Sequence, residues 1–197
     1  MKKLLTICLL LVCVFTLTAC GQEEKKAAPA EPATAVFNTS MGDFEVKLAT
    51  DKAPKTTANF IKLAEKGFYD GLVFHRVIDD FMIQGGDPNG NGTGGSSQRI
   101  KGEFSANGVQ NDLKHTRGVL SMARSSAMDS ASSQFFIMHA DAPHLDGQYA
   151  AFGKVISGME VVDAICEDTP VTDRNGTVAK ANQPVIERII RTEKPEE

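Results

Sequence analysis

Cysteine is scarce in this 197-residue chain, and three of its four cysteines lie within the first 20 residues. Only Cys166 lies farther along, so the rest of the sequence cannot form a disulfide within itself. This excludes the class of small secreted domains that depend on disulfides for stability. The chain is instead long enough to bury a hydrophobic core, and its composition is ordinary for a globular protein.

The sequence also lacks the marks of several function classes. Its formal net charge is −4 and its lysines and arginines are dispersed, which disfavours nucleic-acid binding. No two of its four histidines lie four residues apart or within a ligand motif, so we expect no metal site. The Gly-rich segment 87–97 has no Gly-Lys-Ser/Thr ending, and the serines of segment 125–133 are not in a Gly-x-Ser-x-Gly motif. A phosphate-binding loop and a serine hydrolase are therefore disfavoured, and no cofactor is expected.

The N-terminus has the pattern of an export signal. Met-Lys-Lys precedes an apolar run over residues 4–17 that is too short to span a bilayer and ends in small residues. The string LTAC at residues 17–20 resembles the bacterial lipobox, which implies cleavage before Cys20 and lipidation of Cys20. An ordinary secretory signal with an incidental Cys20 is the alternative. We predict a lipoprotein signal peptide over residues 1–19 and an extracytoplasmic protein that is lipid-anchored to a bacterial membrane.

The composition after Cys20 predicts three further segments. Residues 20–34 contain charged residues, alanine and two prolines without apolar periodicity, which is typical of a flexible, solvated tether. Residues 35–191 carry the strand and helix patterns of a folded domain. The charged tail over residues 192–197 is predicted to be disordered.

The patterns within the domain indicate a mainly β fold. Short apolar or alternating segments, bounded by glycine and polar residues, predict a series of short strands. Helices are predicted over residues 54–66, where proline opens and Gly67 closes an apolar stripe, and over residues 159–165. Many short strands with only two helices predict a β-barrel or a β-sandwich.

The most distinctive segment is FHRVIDDFMIQGGD at residues 74–87, which reads as two strands joined at Asp79 and Asp80. Alternation would bring Arg76, Phe81 and Gln84 together on one surface. With GVLSMA at 118–123, SQFFI at 133–137 and LDGQYAAFGKV at 145–155, this segment resembles the cyclophilins, which are peptidyl-prolyl cis-trans isomerases. The resemblance extends from about residue 35 to about residue 191. It implies a closed eight-stranded antiparallel β-barrel capped by two α-helices.

The implied reaction needs few chemical groups. Rotation about an X–Pro bond is opposed by amide resonance, with a barrier of about 18–20 kcal/mol. As the bond twists, the prolyl nitrogen recovers its lone pair, and a fixed donor then binds the twisted state better than either planar state. The catalyst therefore needs an apolar pocket for the proline ring and one donor, but no nucleophile, metal or cofactor.

The resemblance assigns roles to eleven residues. Arg76, Gln84 and Phe136 are implied as catalytic, with Arg76 as the donor, Gln84 as its positioning partner and Phe136 in the proline pocket. The implied substrate-binding residues are Phe81, Met82, Ala123, Arg124, Gln134, His144, Leu145 and Tyr149. The chain departs from the best-known eukaryotic members at His144, Tyr149 and Arg124, where they carry Trp, His and Asn. We expect Arg124 to act through its main chain.

We therefore predict a monomeric isomerase that accelerates X–Pro rotation in unfolded or exported proteins. The alternative is a non-catalytic cyclophilin-like chaperone or peptide-binding scaffold. The presence of Arg76, Phe81, Gln84 and Phe136 together favours the enzyme, because a scaffold has no need to retain them.

Overall fold

A computed structural model describes residues 33–193 of the chain. The predicted signal peptide, the lipidation site Cys20, residues 20–32 of the predicted tether and residues 194–197 of the predicted tail lie outside this range. Among residues 33–193, no helix is long and apolar enough to cross a membrane.

Within the described range, eight strands form one antiparallel sheet. The strands are β1 (Ala33–Thr39), β2 (Gly42–Leu48), β3 (Phe74–Ile78), β4 (Met82–Gly85), β5 (Val119–Met122), β6 (Phe135–Met138), β7 (Ala151–Ser157) and β8 (Ile186–Glu193). Their order in the sheet is β3-β4-β6-β5-β7-β2-β1-β8. The two α-helices are α1 (Pro54–Glu65) and α2 (Met159–Asp168). The mainly β fold with two helices is as predicted.

The sheet is an open half-barrel, so the prediction of a closed barrel is wrong. Its edge strands, β3 and β8, come together only where each begins. The amide of Phe74 donates to the carbonyl of Pro184 at 2.9 Å and the amide of Ile186 donates to the carbonyl of Leu72 at 2.7 Å, on either side of a bridge between Val73 and Val185. The outer edge of β3 is instead paired with the loop over residues 171–178. The amide of Val77 donates to the carbonyl of Gly176 at 2.8 Å, and the carbonyl of His75 accepts from the amide of Val178 at 3.0 Å. This loop uses the hydrogen-bonding groups that β8 would need in order to close the barrel.

The first and last described residues, 33 and 193, are paired with each other at the other edge of the sheet. Ala33 lies opposite Glu193, and Thr34 lies opposite Thr192. Strand β1 thus begins two residues before the predicted start of the domain at residue 35, and β8 ends two residues after its predicted end at residue 191. Backbone pairing with a neighbouring strand orders these residues, although their composition resembles that of the flanking segments.

The concave side of the sheet encloses a core of aromatic rings. Phe37 of β1 stacks on Phe44 of β2 with a centroid distance of 4.6 Å, and Phe135 of β6 meets Phe37 edge-on at 5.6 Å. Helix α1 adds Phe60, which is fully buried. Because successive residues of a strand face opposite sides, the burial of Phe135 in this core turns its neighbour Phe136 to the outer side.

Each helix is fixed by a specific contact. The buried carboxylate of Glu103 accepts hydrogen bonds from the amides of Lys55 and Thr56 at 3.0 and 2.7 Å, so a negative charge lies at the N-terminus of α1. Helix α2 buries Val162, Ile165 and Cys166 against the sheet. Burial raises the pKa of the Cys166 thiol to about 12, which keeps this cysteine protonated and unreactive.

Candidate active site

The β3–β4 hairpin turns Arg76 outwards through a β-bulge. The register between the two strands shifts between Phe74 and Arg76. Phe74 is fully buried in the aromatic core, whereas Arg76 lines an open groove on the outer side. Strict alternation would place both residues on the same face, so the extra residue, His75, is what separates them. The sequence contains no signal for this bulge.

The groove has a volume of about 860 Å³. It is lined by nine of the predicted residues: Arg76, Phe81, Met82, Gln84, Ala123, Arg124, Phe136, Leu145 and Tyr149. Gln134 lies at its border, where its Oε1 accepts from Gln84 Nε2 at 2.9 Å. His144 does not line the groove; it is exposed at the rim and stacks on Phe81 with a centroid distance of 5.8 Å. The structure thus brings ten predicted residues to one site and leaves His144 at its edge.

Hydrogen bonds hold the guanidinium of Arg76 from two sides. Its Nε donates to the carbonyl of Asn175 at 2.7 Å, and its Nη1 donates to Gln84 Oε1 at 3.2 Å. Gln84 is itself fixed, through Gln134, to the carbonyl of Gly94 at 2.7 Å. In the part of the chain that the structure describes, Nη2 of Arg76 has no protein partner. The site therefore presents a fixed cation with donors left for a ligand.

The protonation state of Arg76 follows from its surroundings. Partial burial lowers its pKa, an effect that the nearby Asp173 carboxylate opposes. Because a guanidinium is the most basic of the side-chain groups, Arg76 stays charged in spite of this shift. Asp173 and Asn175 both belong to the loop over residues 171–178, which the sequence did not connect with the site.

An apolar pocket lies beside this cation. Met82 and Phe136 are nearly fully buried and belong to a second hydrophobic cluster that is separate from the aromatic core. Phe81, Leu145 and Tyr149 pack against this cluster, and Tyr149 meets Phe136 edge-on with a centroid distance of 5.8 Å. The pocket has the character needed for a pyrrolidine ring, and its aromatic walls hold one another in place.

The side chain of Arg124 has a structural role that the sequence did not indicate. Its guanidinium carbon lies 4.7 Å from the centre of the Tyr149 ring and 5.1 Å from the centre of the Phe104 ring. Its Nε and Nη2 both donate to the carbonyl of Gln148, at 3.0 and 2.9 Å. Cation–π contacts and hydrogen bonds thus tie the loop of Tyr149 to the end of β5.

The buried His115 links Ser121 with the partly exposed Asp146 and packs against Phe136. His115 Nε2 lies 3.0 Å from Ser121 Oγ, and His115 Nδ1 lies 3.1 Å from Asp146 Oδ1. The imidazole stacks on Phe136 with a centroid distance of 6.0 Å. Ser121 is completely buried on β5, so no substrate can reach its hydroxyl. The arrangement is that of a packed support rather than that of a nucleophile with its base.

One group within residues 33–193 has the composition of a metal site, Asp79 and Asp80 with His139. Both ring nitrogens of His139 already have neighbours: Nδ1 accepts from the amide of Asp80 at 3.1 Å and lies 3.2 Å from Asp79 Oδ1, and Nε2 lies 3.2 Å from Asp163 Oδ1. The two aspartates of the group are exposed. His139 is tied to the β3–β4 turn by the amide of Asp80 and by its own amide, which donates to the carbonyl of Phe81 at 2.9 Å.

Comparison with known proteins agrees with this geometry. The model of the family described as cyclophilin type peptidyl-prolyl cis-trans isomerase/CLD matches residues 34–192. Peptidyl-prolyl cis-trans isomerase-like 1 of Aspergillus fumigatus is 48% identical over 145 residues, which are 70% of this chain and 88% of that protein. Peptidyl-prolyl cis-trans isomerase ppi1 of Schizosaccharomyces pombe is 50% identical over 126 residues, which are 64% of this chain and 79% of that protein.

A solved structure shows the same fold. The cyclophilin type peptidyl-prolyl cis-trans isomerase of Cryptosporidium parvum, crystallised in the presence of the dipeptide Ala-Pro, superposes with a TM-score of 0.72 at 34% sequence identity. The match covers 82% of this chain and 99% of that one.

Proposed function

This chain belongs to the family of cyclophilin-type peptidyl-prolyl cis-trans isomerases and is an enzyme of that type, and we propose that Arg76 is the group that lowers its rotation barrier. The observation that carries the proposal is the fixation of Arg76 by Asn175 and Gln84, in a groove that also holds an apolar pocket. None of residues 33–193 bonds its Nη2. A guanidinium held in this way cannot swing away when the substrate moves, so its donor is already in place when the amide twists.

In the proposed mechanism, the proline ring enters the pocket formed by Phe81, Met82, Phe136 and Leu145. Nη2 of Arg76 then donates to the prolyl nitrogen as that atom recovers its lone pair. Raising the rate from about 10⁻² s⁻¹ to an ordinary turnover of about 1–10³ s⁻¹ requires roughly 3–7 kcal/mol. One charge-assisted hydrogen bond that exists only in the twisted state, together with the fixed position of the ring, has this magnitude.

A non-catalytic scaffold or chaperone would use the same groove without needing the donor. The test is the rate of cis-trans relaxation of a short X–Pro peptide, measured together with the affinity of that peptide for the protein. Rate acceleration with weak ground-state binding supports the enzyme mechanism. Tight binding without acceleration would instead show that the groove serves as a scaffold.

The proposed mechanism predicts a flat pH profile. Arg76 keeps its charge, and burial lowers the pKa of His75 and His115, so that both lose their protons below the ordinary histidine value of about 6.5. The titration of both histidines is therefore shifted towards pH values below the range from 6.5 to 9, and Arg76 keeps its charge throughout it. We expect kcat/KM to vary by less than about twofold over this range. A bell-shaped profile with activity lost at both ends would show that a general acid and base take part.

We further propose that the enzyme acts on proline-containing exported proteins from a lipid-anchored, extracytoplasmic position. The support is the basic start, the short apolar run and the LTAC string that precede the domain. This part of the proposal is carried by those residues alone, since the relatives named above are eukaryotic. A lipid on Cys20 would leave residues 21–32 as the connection to the domain, which spans about 40 Å when extended at roughly 3.3 Å per residue.

We predict that Cys20→Ser abolishes membrane anchoring, because the thiol is the acceptor of the lipid in the proposed lipobox. The variant should accumulate as an uncleaved precursor or appear in the soluble fraction, as measured by cell fractionation and by the mass of the product. Cys166→Ala is the matched control and should partition as the parent does. A Cys20→Ser protein that is processed and remains with the membranes would contradict the prediction.

A further inference from the structure

A second pocket, of about 350 Å³, lies next to the groove. The two cavities share Gln84, Gly92, Ala123 and Arg124 as a common wall. The rest of its lining is polar and consists of Thr93, Gly94, Gly95, Ser96, Arg99, Ser125, Ser130, Ser132 and Gln134. A polypeptide with its proline in the groove therefore has a neighbouring residue within reach of this pocket. We call it the arginine pocket, after Arg99 and Arg124.

The positive charge of the arginine pocket is not neutralised. Arg99 is exposed and has no hydrogen bond or ion pair with another residue of the 33–193 region. The guanidinium of Arg124 is held by the carbonyls of Gln148 and Ser125 and by two aromatic rings, none of which carries a charge. No carboxylate is among the residues that line the pocket. The pocket thus holds two cations without a counter-ion.

Glu103, the acidic residue nearest to Arg99 along the chain, is buried and accepts hydrogen bonds from the amides of Lys55 and Thr56. Two further acidic residues, on loops that line the pocket, are also engaged elsewhere. The carboxylate of Asp129, on the loop that carries Ser125 and Ser130, accepts hydrogen bonds from Gly102 N at 3.0 Å and Asn107 Nδ2 at 2.7 Å. The carboxylate of Asp87 is buried and accepts from the amides of the loop that follows it. Neither is free to fold over Arg99, so the pocket can receive an acidic group from outside.

The walls of the arginine pocket are fixed by polar contacts and by glycine. A side chain at Gly95 would place its Cβ 2.3 Å from Ser132 Oγ, and one at Gly94 would meet Asp87 Oδ1 at 2.2 Å. Gln134 Nε2 donates to the carbonyls of Gly92 and Gly94 at 3.1 and 2.7 Å. A side chain at either glycine would thus displace the neighbouring wall residues, so the present shape of the wall depends on glycine at both positions.

We propose that the arginine pocket binds an acidic side chain, glutamate or aspartate, of the polypeptide substrate, carried by a residue close in sequence to the proline. The inference rests on the proposed function, since it takes the groove as the site of the proline. A carboxylate pairs with the guanidiniums and accepts hydrogen bonds. A lysine would be repelled by both cations, and an apolar side chain would desolvate the polar wall without replacing its hydrogen bonds.

The experiment uses short peptides with a single proline, in which Glu, Gln or Lys stands in turn at each of the three positions before and after it. We expect one position at which kcat/KM and the affinity follow the order Glu, Gln, Lys. The Glu peptide should exceed the Gln peptide by about three- to fivefold at low ionic strength, which is typical of an exposed charge pair, and the ratio should fall with added salt. In Arg99→Gln, which leaves Arg124 in the pocket, the ratio should fall to about twofold or less.

Arg188→Gln is the matched control, because this exposed arginine of β8 lies outside both cavities and should leave the Glu/Gln ratio as in the parent. An absent Glu preference at all six positions, or an unchanged ratio in Arg99→Gln, would overturn the proposal. Failure of the proposed function gives a different pattern. All peptides would then relax at the uncatalysed rate, while the Glu/Gln ratio of the dissociation constants would still decide whether the pocket selects acidic residues.

Discussion

Replacement of Arg76 by alanine should lower kcat/KM for a short X–Pro peptide by about 10²–10³-fold, the range typical for loss of one preorganised donor. The physical reason is that Nη2 of Arg76 is the donor aimed at the prolyl nitrogen in the proposed mechanism. The fold should persist, because the side chain lies on the groove face and its protein contacts are two hydrogen bonds at the surface, to Asn175 and Gln84. Isomerisation kinetics and thermal unfolding of the same samples measure the two effects.

Two further variants make this result specific. Arg76→Lys keeps a positive charge but replaces the forked guanidinium by a single ammonium group. One ammonium cannot bond Asn175 and Gln84 and also donate to the substrate, so most of the loss in kcat/KM should remain. Arg174→Ala removes a charge from the adjacent loop without touching the groove and should have the activity of the parent. Equal turnover of Arg76→Ala and the parent would show that Arg76 is not the donor.

Replacement of Gly176 by alanine should damage both stability and catalysis. Gly176 has φ of +77°, and a Cβ at this position would lie 2.1 Å from the carbonyl oxygen of Val77. The loop over residues 171–178 must then move off the edge of β3, where it makes two backbone hydrogen bonds. Because the carbonyl of Asn175 moves with it, Arg76 loses one of its two anchors.

We expect the free energy of unfolding to fall by roughly 2–4 kcal/mol, from the left-handed backbone, the overlap and the lost hydrogen bonds together. The kcat/KM of the folded Gly176→Ala protein should fall by at least about tenfold, as a misplaced positioning group does. Denaturant unfolding and single-peptide kinetics measure both values.

Gly108→Ala separates the cost of the left-handed backbone from the cost of displacing the loop. Gly108 has φ of +73°, nearly that of Gly176, but a Cβ there would meet no atom within 4 Å. This control should therefore show only the cost of the left-handed backbone, about 1 kcal/mol, and retain full activity. If both alanine variants behave alike, the contact of the loop with β3 does not position Arg76.

Local signals in the sequence were sufficient for most of the secondary structure. Alternation predicted the β3–β4 hairpin, and Pro54 with Gly67 predicted the limits of α1 to within one or two residues. The prediction of a closed barrel concerned contacts between segments that are distant in sequence. It was wrong because the loop over residues 171–178 competes with β8 for the edge of β3, and no pattern within a single segment reports such a competition.

The candidate site likewise has features that the sequence predicted and features that it did not. The residues of the groove were identified through resemblance, because the spacing of Phe81, Phe136 and Leu145 along one sequence does not show that they meet. The second anchor of Arg76 is a main-chain carbonyl 99 residues away, and a carbonyl has no sequence signature. The bulge at His75 and the stacking of Arg124 on Tyr149 were missed for a related reason, since both depend on neighbours from other strands.

The pairing of the first strand with the last has a consequence for the time course of folding. Thr34 and Thr192, which face each other across β1 and β8, are 158 residues apart along the chain. Closing a loop of that length costs about 4–5 kcal/mol of chain entropy before any contact repays it. Strand β1 therefore lacks its outer neighbour until β8 has been synthesised, and the sheet is completed late. A protein shortened at β8 would expose the edge of β1 to pairing with other chains.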